Sequence, residues 1–171
     1  MSQRPGPDEY ASYYETYIGQ VPDGDILELL ATQAADTIGL LAAVPAERET
    51  YRYAPGKWSV REVVGHVIDT ERVFAYRALA FARKSDEPLP SMDQETWAVA
   101  SNAGDRPLAD LIAELRAVRD ATLALFDSFA DEAGQRRGVA SGNTFTVRAI
   151  AWIIAGHERH HRMILQREYG L

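Results

Sequence analysis

A chain of 171 residues is long enough for one domain to close a sizeable core. It has no cysteine, which excludes disulfides, thiolate metal sites and a cysteine nucleophile and fits a reducing cytoplasm. A net charge of −7 argues against a surface that tracks nucleic-acid phosphates, and no stretch is apolar for long enough to span a bilayer. The start, Met1 to Asp8, is polar with two prolines and no apolar leader, so the expectation is a soluble cytoplasmic protein with no nucleic-acid or membrane partner.

Residues 1–22 read as a segment ahead of the main domain, residues 23–171. Tyr10, Tyr13, Tyr14, Tyr17 and Ile18 form a short aromatic stretch ended by Pro22-Asp23-Gly24, expected to clasp the rest of the chain. The first full helix begins at Asp23 or Asp25, either of which can cap it. Its seam is Leu27, Leu30, Ala34, Ile38 and Leu41, and Pro45 ends it. Ser59-Val60-Arg61-Glu62 is a capping box that opens the second helix.

The seam of that helix, Val60, Val64, Val67, Glu71, Phe74, Ala78 and Phe81, alternates fours and threes with one charged member. Glu71 there is either half of a partly buried ion pair with an arginine from a neighbouring helix or a carboxylate serving a metal site. His66 lies at the edge of the apolar stripe, about 100° from its centre, and can reach inward at a helix boundary. Asp69 and Thr70 share its face and are candidates to accept its second N–H.

Lys84 to Arg106 is a connection of 23 residues, far longer than a turn between antiparallel neighbours needs, and a crossover explains it economically. The third helix starts near Pro107 with the seam Leu108, Leu111, Leu115, Val118, Thr122, Leu125 and Phe129. Gly134 to Asn143 reads as a polar loop, no segment has strand periodicity, and Thr144 or Thr146 caps the last helix. Four such seams predict an all-α four-helix bundle.

In the last helix Val147, Ile150, Ile154, His157, His161 and Ile164 follow at intervals of three or four, so two histidines one turn apart take slots that leucine would fill. That is metal-ligand spacing. Arg159, Arg162 and Arg167, with Arg136 and Arg137 before them, read as solvated charges balanced by Glu158 and Glu168 rather than as a basic patch. His157-Glu158-Arg159-His160-His161 matches the H-E-x-x-H protease motif, but only ten residues follow it and Glu158 points about 100° from His157, away from the seam. His66 lies about 10 Å from the start of helix two, and His157 and His161 lie about 10 to 17 Å from the end of helix four. They come level when those helices are antiparallel, which a long crossover between helices two and three produces.

Tyr53-Ala54-Pro55-Gly56-Lys57-Trp58-Ser59, Gly65-His66-Val67-Ile68-Asp69-Thr70-Glu71-Arg72 and Ala155-Gly156-His157-Glu158-Arg159-His160-His161 together resemble the DinB superfamily of DNA-damage-inducible-type four-helix proteins. The resemblance implies an up-down-down-up bundle, frequently a homodimer, with a divalent metal held by three histidines, here His66, His157 and His161. His160 is not expected to be a ligand. It also implies a metal-dependent transferase that joins a low-molecular-weight thiol to an electrophile; because a metal with an open position activates water as well as a thiol, hydrolysis of a small-molecule substrate is expected at the same site, and Glu71 and Asp69 are the candidate catalytic carboxylates from their places on helix two. A stress-associated, non-catalytic metal- or ligand-binding dimer is the alternative. Three imidazoles leave open metal positions, and zinc is expected first, with nickel and iron also compatible.

Overall fold

The computed structural model describes residues 3–171. Tight turns, among them a 3-10 turn at Ser12–Tyr14, and the one-turn helix α1 (Glu15–Ile18) precede the bundle. Asp25 caps α2 (Ile26–Ala42), accepting from the N–H groups of Leu27 and Glu28. The buried face of α2 is Ile26, Leu30, Gln33, Ala34, Thr37 and Leu41. Leu27 and Ile38, expected in the seam, are only half-buried, because the helix turns to carry Gln33 inward, where its amide donates to the Ala155 carbonyl at 2.9 Å.

The capping box opens α3 (Val60–Ala82): the Ser59 hydroxyl accepts from the Glu62 N–H at 3.3 Å and the Glu62 carboxylate from the Ser59 N–H at 2.6 Å. All seven expected seam residues are buried. The crossover that follows contains a short helix, α4 (Gln94–Ala100), and leads to α5 (Leu108–Asp127). The α5 seam holds to Thr122 and then drifts, so that Phe126 is buried and Leu125 only half-buried. An α-helix turns more slowly than a strict 3.5-residue repeat requires, falling behind by about 20° per heptad.

The loop expected after α5 is instead a hairpin of β1 (Arg137–Ala140) and β2 (Asn143–Thr146), paired antiparallel with Ala140 opposite Asn143. Ser141 and Gly142 both have positive φ, 53° and 73°, the conformation that a two-residue hairpin turn demands. The edge of this hairpin holds the crossover, since Leu89 exchanges backbone hydrogen bonds with Val139 and Ser141. Thr146 then caps α6 (Val147–Arg167), accepting from the Ala149 N–H at 3.1 Å.

Helices α2, α3, α5 and α6 form the bundle, with α3 packed on α5 and α6, and α2 completing the ring between them. Glu71 and Arg72 on α3 bond Arg119 and Glu114 on α5, and Arg61 meets Gly104 just ahead of it, so those helices run the same way. Gln33 meets Glu158, and Asp36 meets Arg162, so α2 and α6 run together in the opposite sense. This is the up-down-down-up order. No helix is long and apolar enough to cross a membrane among the described residues.

The N-terminal segment covers the outer face of α6, which is why Val147 and Ala149 through Glu158 are buried with no polar side left to solvent. Gly156 permits this contact: a Cβ there would stand 2.3 Å from the Tyr17 carbonyl oxygen. Gly156→Ala should gain helix propensity, about 1 kcal/mol, yet lower stability in urea by about 1 to 3 kcal/mol, because backbone must move. Unchanged or raised stability would show that the segment does not lie on α6.

Glu9 anchors the same segment, accepting from Thr146 Oγ1 at 2.8 Å and from the Arg148 guanidinium. Burial pushes its carboxyl up, but the Arg148, Gly6 and Thr146 hydrogen bonds outweigh that and hold it at about 2. A folded-state value below the unfolded one means that this contribution is present above pH 4.5 and is lost as pH falls towards 2. Acid titration followed by proteolysis should therefore release the N-terminal segment in that window, and Glu9→Gln should remove the pH dependence.

Candidate metal centre

Antiparallel packing of α3 and α6 brings His66 beside His157 and His161. One nitrogen from each of the three lies within 4.8 Å of the others, and His66 Nε2 stands 3.1 Å from His157 Nε2. His66 and His157 are buried, His161 half-buried. Burial holds the His66 imidazole down at about 4 and His161 at about 3, and it lowers His157 well below its ordinary value, with the neighbouring rings adding to the effect. All three are neutral at pH 7, the form that ligates a metal.

The donor set fits a divalent cation. Two nitrogens bound at about 2.0 to 2.1 Å to one tetrahedral ion stand roughly 3.4 Å apart, close to the His66–His157 separation. Among the described residues no carboxylate joins the cluster. Thr70 Oγ1 lies 3.5 Å from His66 Nδ1, a long contact that places the threonine, not Asp69, as the partner of that ring. Asp69 faces Arg72 instead, 3.6 Å away, on the bundle's outer side. Trp58 packs on His66 with ring centres 4.7 Å apart, and Tyr17 packs edge-on against His157 at 5.4 Å. His160 stands outside the three, against Tyr17 at 5.3 Å and within 3.5 Å of Gln20.

His66 and His157 open on a cleft of about 100 Å³ walled by Tyr13, Tyr14 and Tyr17 from the N-terminal segment and by Met92 and Gln94 from the crossover, while His161 lines a separate hollow beside Tyr53, Lys57 and Trp58. The N-terminal segment and the crossover thus form the mouth of the cleft. The Tyr17 phenol is raised above its ordinary value, first by burial and then by its contact with Tyr13, so it keeps its proton.

Beneath the histidines lies a buried ionic cluster. Arg119 of α5 donates through Nε and Nη2 to the two oxygens of Glu71, at 2.9 and 2.7 Å, and through Nη2 to Glu158 at 2.7 Å. Glu71 is therefore in the ion pair that its seam position suggested. Glu158, expected to point to solvent, is buried at 2 % exposure because this position turns towards α2 and α5. Gln33 donates to it at 2.6 Å. Arg119 and Gln33 were not singled out from the sequence, although Leu115, Arg119, Thr122 and Phe126 follow the same four-three spacing as any seam. The other arginines near the motif are tied down: Arg162 to Asp36, Arg137 to Asp8 and Arg136 to the Ala82 carbonyl.

Known proteins resemble this chain in both sequence and fold. A protein of Oceanobacillus iheyensis named "Putative metal-dependent hydrolase OB0413" is 27% identical over 111 residues, 64% of this chain. The chain spans 63% of the length of that relative. The structure of YfiT from Bacillus subtilis, described as "a probable metal-dependent hydrolase with an unusual four-helix bundle topology", superposes with a TM-score of 0.71 at 17% identity, over 99% of this chain and 94% of that one. At that identity the likeness is one of fold. A family profile matches residues 29–165, from within α2 almost to the end of α6, and on that match the chain belongs to the DinB superfamily.

Proposed function

We propose that the protein is a metal-dependent hydrolase of a small molecule, with His66, His157 and His161 holding the cation. The observation that carries this reading is the convergence of three neutral imidazoles, joined by no carboxylate among the described residues, two of them lining a cleft. Three protein ligands leave a position open, the pattern of reactive rather than structural sites. A bound divalent ion would supply Lewis-acid polarisation of a carbonyl and activation of water at neutral pH.

The chain's own residues do the rest. Thr70 and Trp58 fix the plane of the His66 ring, and Tyr17 shields His157 from bulk water. The Tyr17 hydroxyl, protonated at neutral pH and 3.0 Å from that of Tyr13, is placed to donate a hydrogen bond within the cleft. In this reading Glu71 and Glu158 hold Arg119 and exchange no proton with substrate, and Asp69 lies away from the chemistry.

Protein purified without a histidine tag and reconstituted with zinc, nickel or iron should hydrolyse members of a panel of small esters, amides and lactones, and a chelator should stop it. Reaction of a small thiol with an electrophile in place of hydrolysis would replace this reading with thiol transfer. No turnover of either kind would leave a binding protein.

A further inference from the structure

Two arginines are buried among the described residues, and they differ in one respect. Arg119 has two carboxylates; Arg77, 3 % exposed, has none. Arg77 Nη2 donates to the Pro90 carbonyl at 3.0 Å and to the Ser141 hydroxyl at 2.9 Å, the guanidinium carbon lies 5.1 Å from the centre of the Phe74 ring, and the Tyr14 hydroxyl faces it. A cation removed from water without a counter-charge is expensive to keep, and burial indeed lowers Arg77 from its ordinary value. The fold nevertheless holds it in place from three sides: the crossover at Pro90, the hairpin turn at Ser141 and the ring of Phe74.

Arg77 lines the same cleft as His66 and His157. His66, Thr70, Val73 or Phe74, and Arg77 climb one face of α3, so the imidazoles stand at one end of the cleft and the guanidinium at the other. Eleven residues separate them, about 16 Å of helix rise, shortened by the lean of Arg77 towards Phe74. Between the two ends the wall is aromatic and uncharged, supplied by Tyr13, Tyr14, Tyr17 and Phe74.

We propose that Arg77 is the specificity-determining residue of this cleft, and that the substrate is a small organic acid whose carboxylate sits on Arg77 while its hydrolysable bond, several bonds away across an apolar or aromatic body, reaches the histidines. The guanidinium fork matches a carboxylate in shape, and a single monoanion neutralises a single buried cation. A phosphate dianion would leave one negative charge unmatched among neutral phenols. The class of bond that is cut rests on the hydrolase reading above; the anion that is bound does not.

Three probes of one shape test it: 4-phenylbutyrate, 4-phenylbutyramide and 4-phenylbutylphosphonate, titrated into the full chain, metal-free and zinc-loaded, and followed by protein NMR. The acid should bind at least about tenfold more tightly than the amide in both forms, since metal-free protein excludes a carboxylate–metal contact as the cause. Arg77→Gln should abolish the preference and Arg77→Lys keep part of it. Equal affinity for acid and amide in metal-free wild type overturns the proposal without recourse to a variant that could misfold. So does an acid preference that survives in folded Arg77→Gln, and tighter binding of the phosphonate overturns the choice of carboxylate. Acid preference without hydrolysis of any ester would sink the hydrolase reading alone. Hydrolysis at equal rates of esters with acid and amide tails would sink this proposal alone.

Discussion

Arg119→Met will destabilise the protein by about 3 to 5 kcal/mol, the usual cost of removing one partner from a buried ionic group. The arginine is 1 % exposed and engages Glu71 through two bonds, Glu158 through one and the Leu30 carbonyl at 2.7 Å. Burial alone would lower its proton affinity, and the two carboxylates overcome that and raise it. Without it, two carboxylates would face each other inside the bundle with Gln33 as their remaining donor, and one oxygen of Glu158 already has no protein partner. Replacing all three charges together, Arg119→Met with Glu71→Leu and Glu158→Leu, should recover most or all of the loss, because an apolar set of similar volume leaves no charge unpaired. Urea unfolding of the single and triple variants decides it. A single variant within about 1 kcal/mol of wild type would mean that the cluster is wetter than its burial indicates.

A second large effect concerns the cation itself. A ligand that binds the folded state only adds about 2.7 kcal/mol at a concentration a hundred times its dissociation constant, which for a chain of this size raises the melting temperature by roughly 5 to 10 °C. Zinc should produce that rise in wild type and almost none in His66→Ala. Loss of an outer partner of a ligand weakens metal binding by about 10- to 100-fold, and loss of the ligand itself should exceed that. The comparison is made within each variant, metal-free against loaded, so any cost of the substitution to the metal-free fold cancels. A full rise in His66→Ala would remove His66 from the site.

Most of this organisation was legible in the residues. The seam of α3, the Ser59 and Thr146 caps and the length of the crossover are local or periodic signals, and they predict four helices in the observed order. Two histidines in the last seam and a third at the edge of the helix-two stripe predict their own meeting once the topology is antiparallel. The hairpin escaped notice because its strands are four residues each, too short for alternation to stand out, although Ser141-Gly142 is a turn signal in its own right. Glu158 was misplaced for a physical reason: its side of the helix is assigned on the premise of solvent, and here that side faces Gln33 of α2 and Arg119 of α5 inside the bundle. Arg77 and Arg119 look alike in the sequence, each standing three or four residues from apolar positions that are buried, Phe74 and Phe81 for the one and Leu115 for the other. Only the tertiary packing separates the one with two carboxylates from the one with none.

The most direct test of the three-histidine centre is elemental analysis of tag-free protein, wild type beside His161→Ala, after reconstitution and dialysis. About one divalent ion per chain in wild type, lost in the variant while its helical content is kept, is the predicted result. Equal metal in both, or none in either, would contradict it and make the histidines members of the bundle's core.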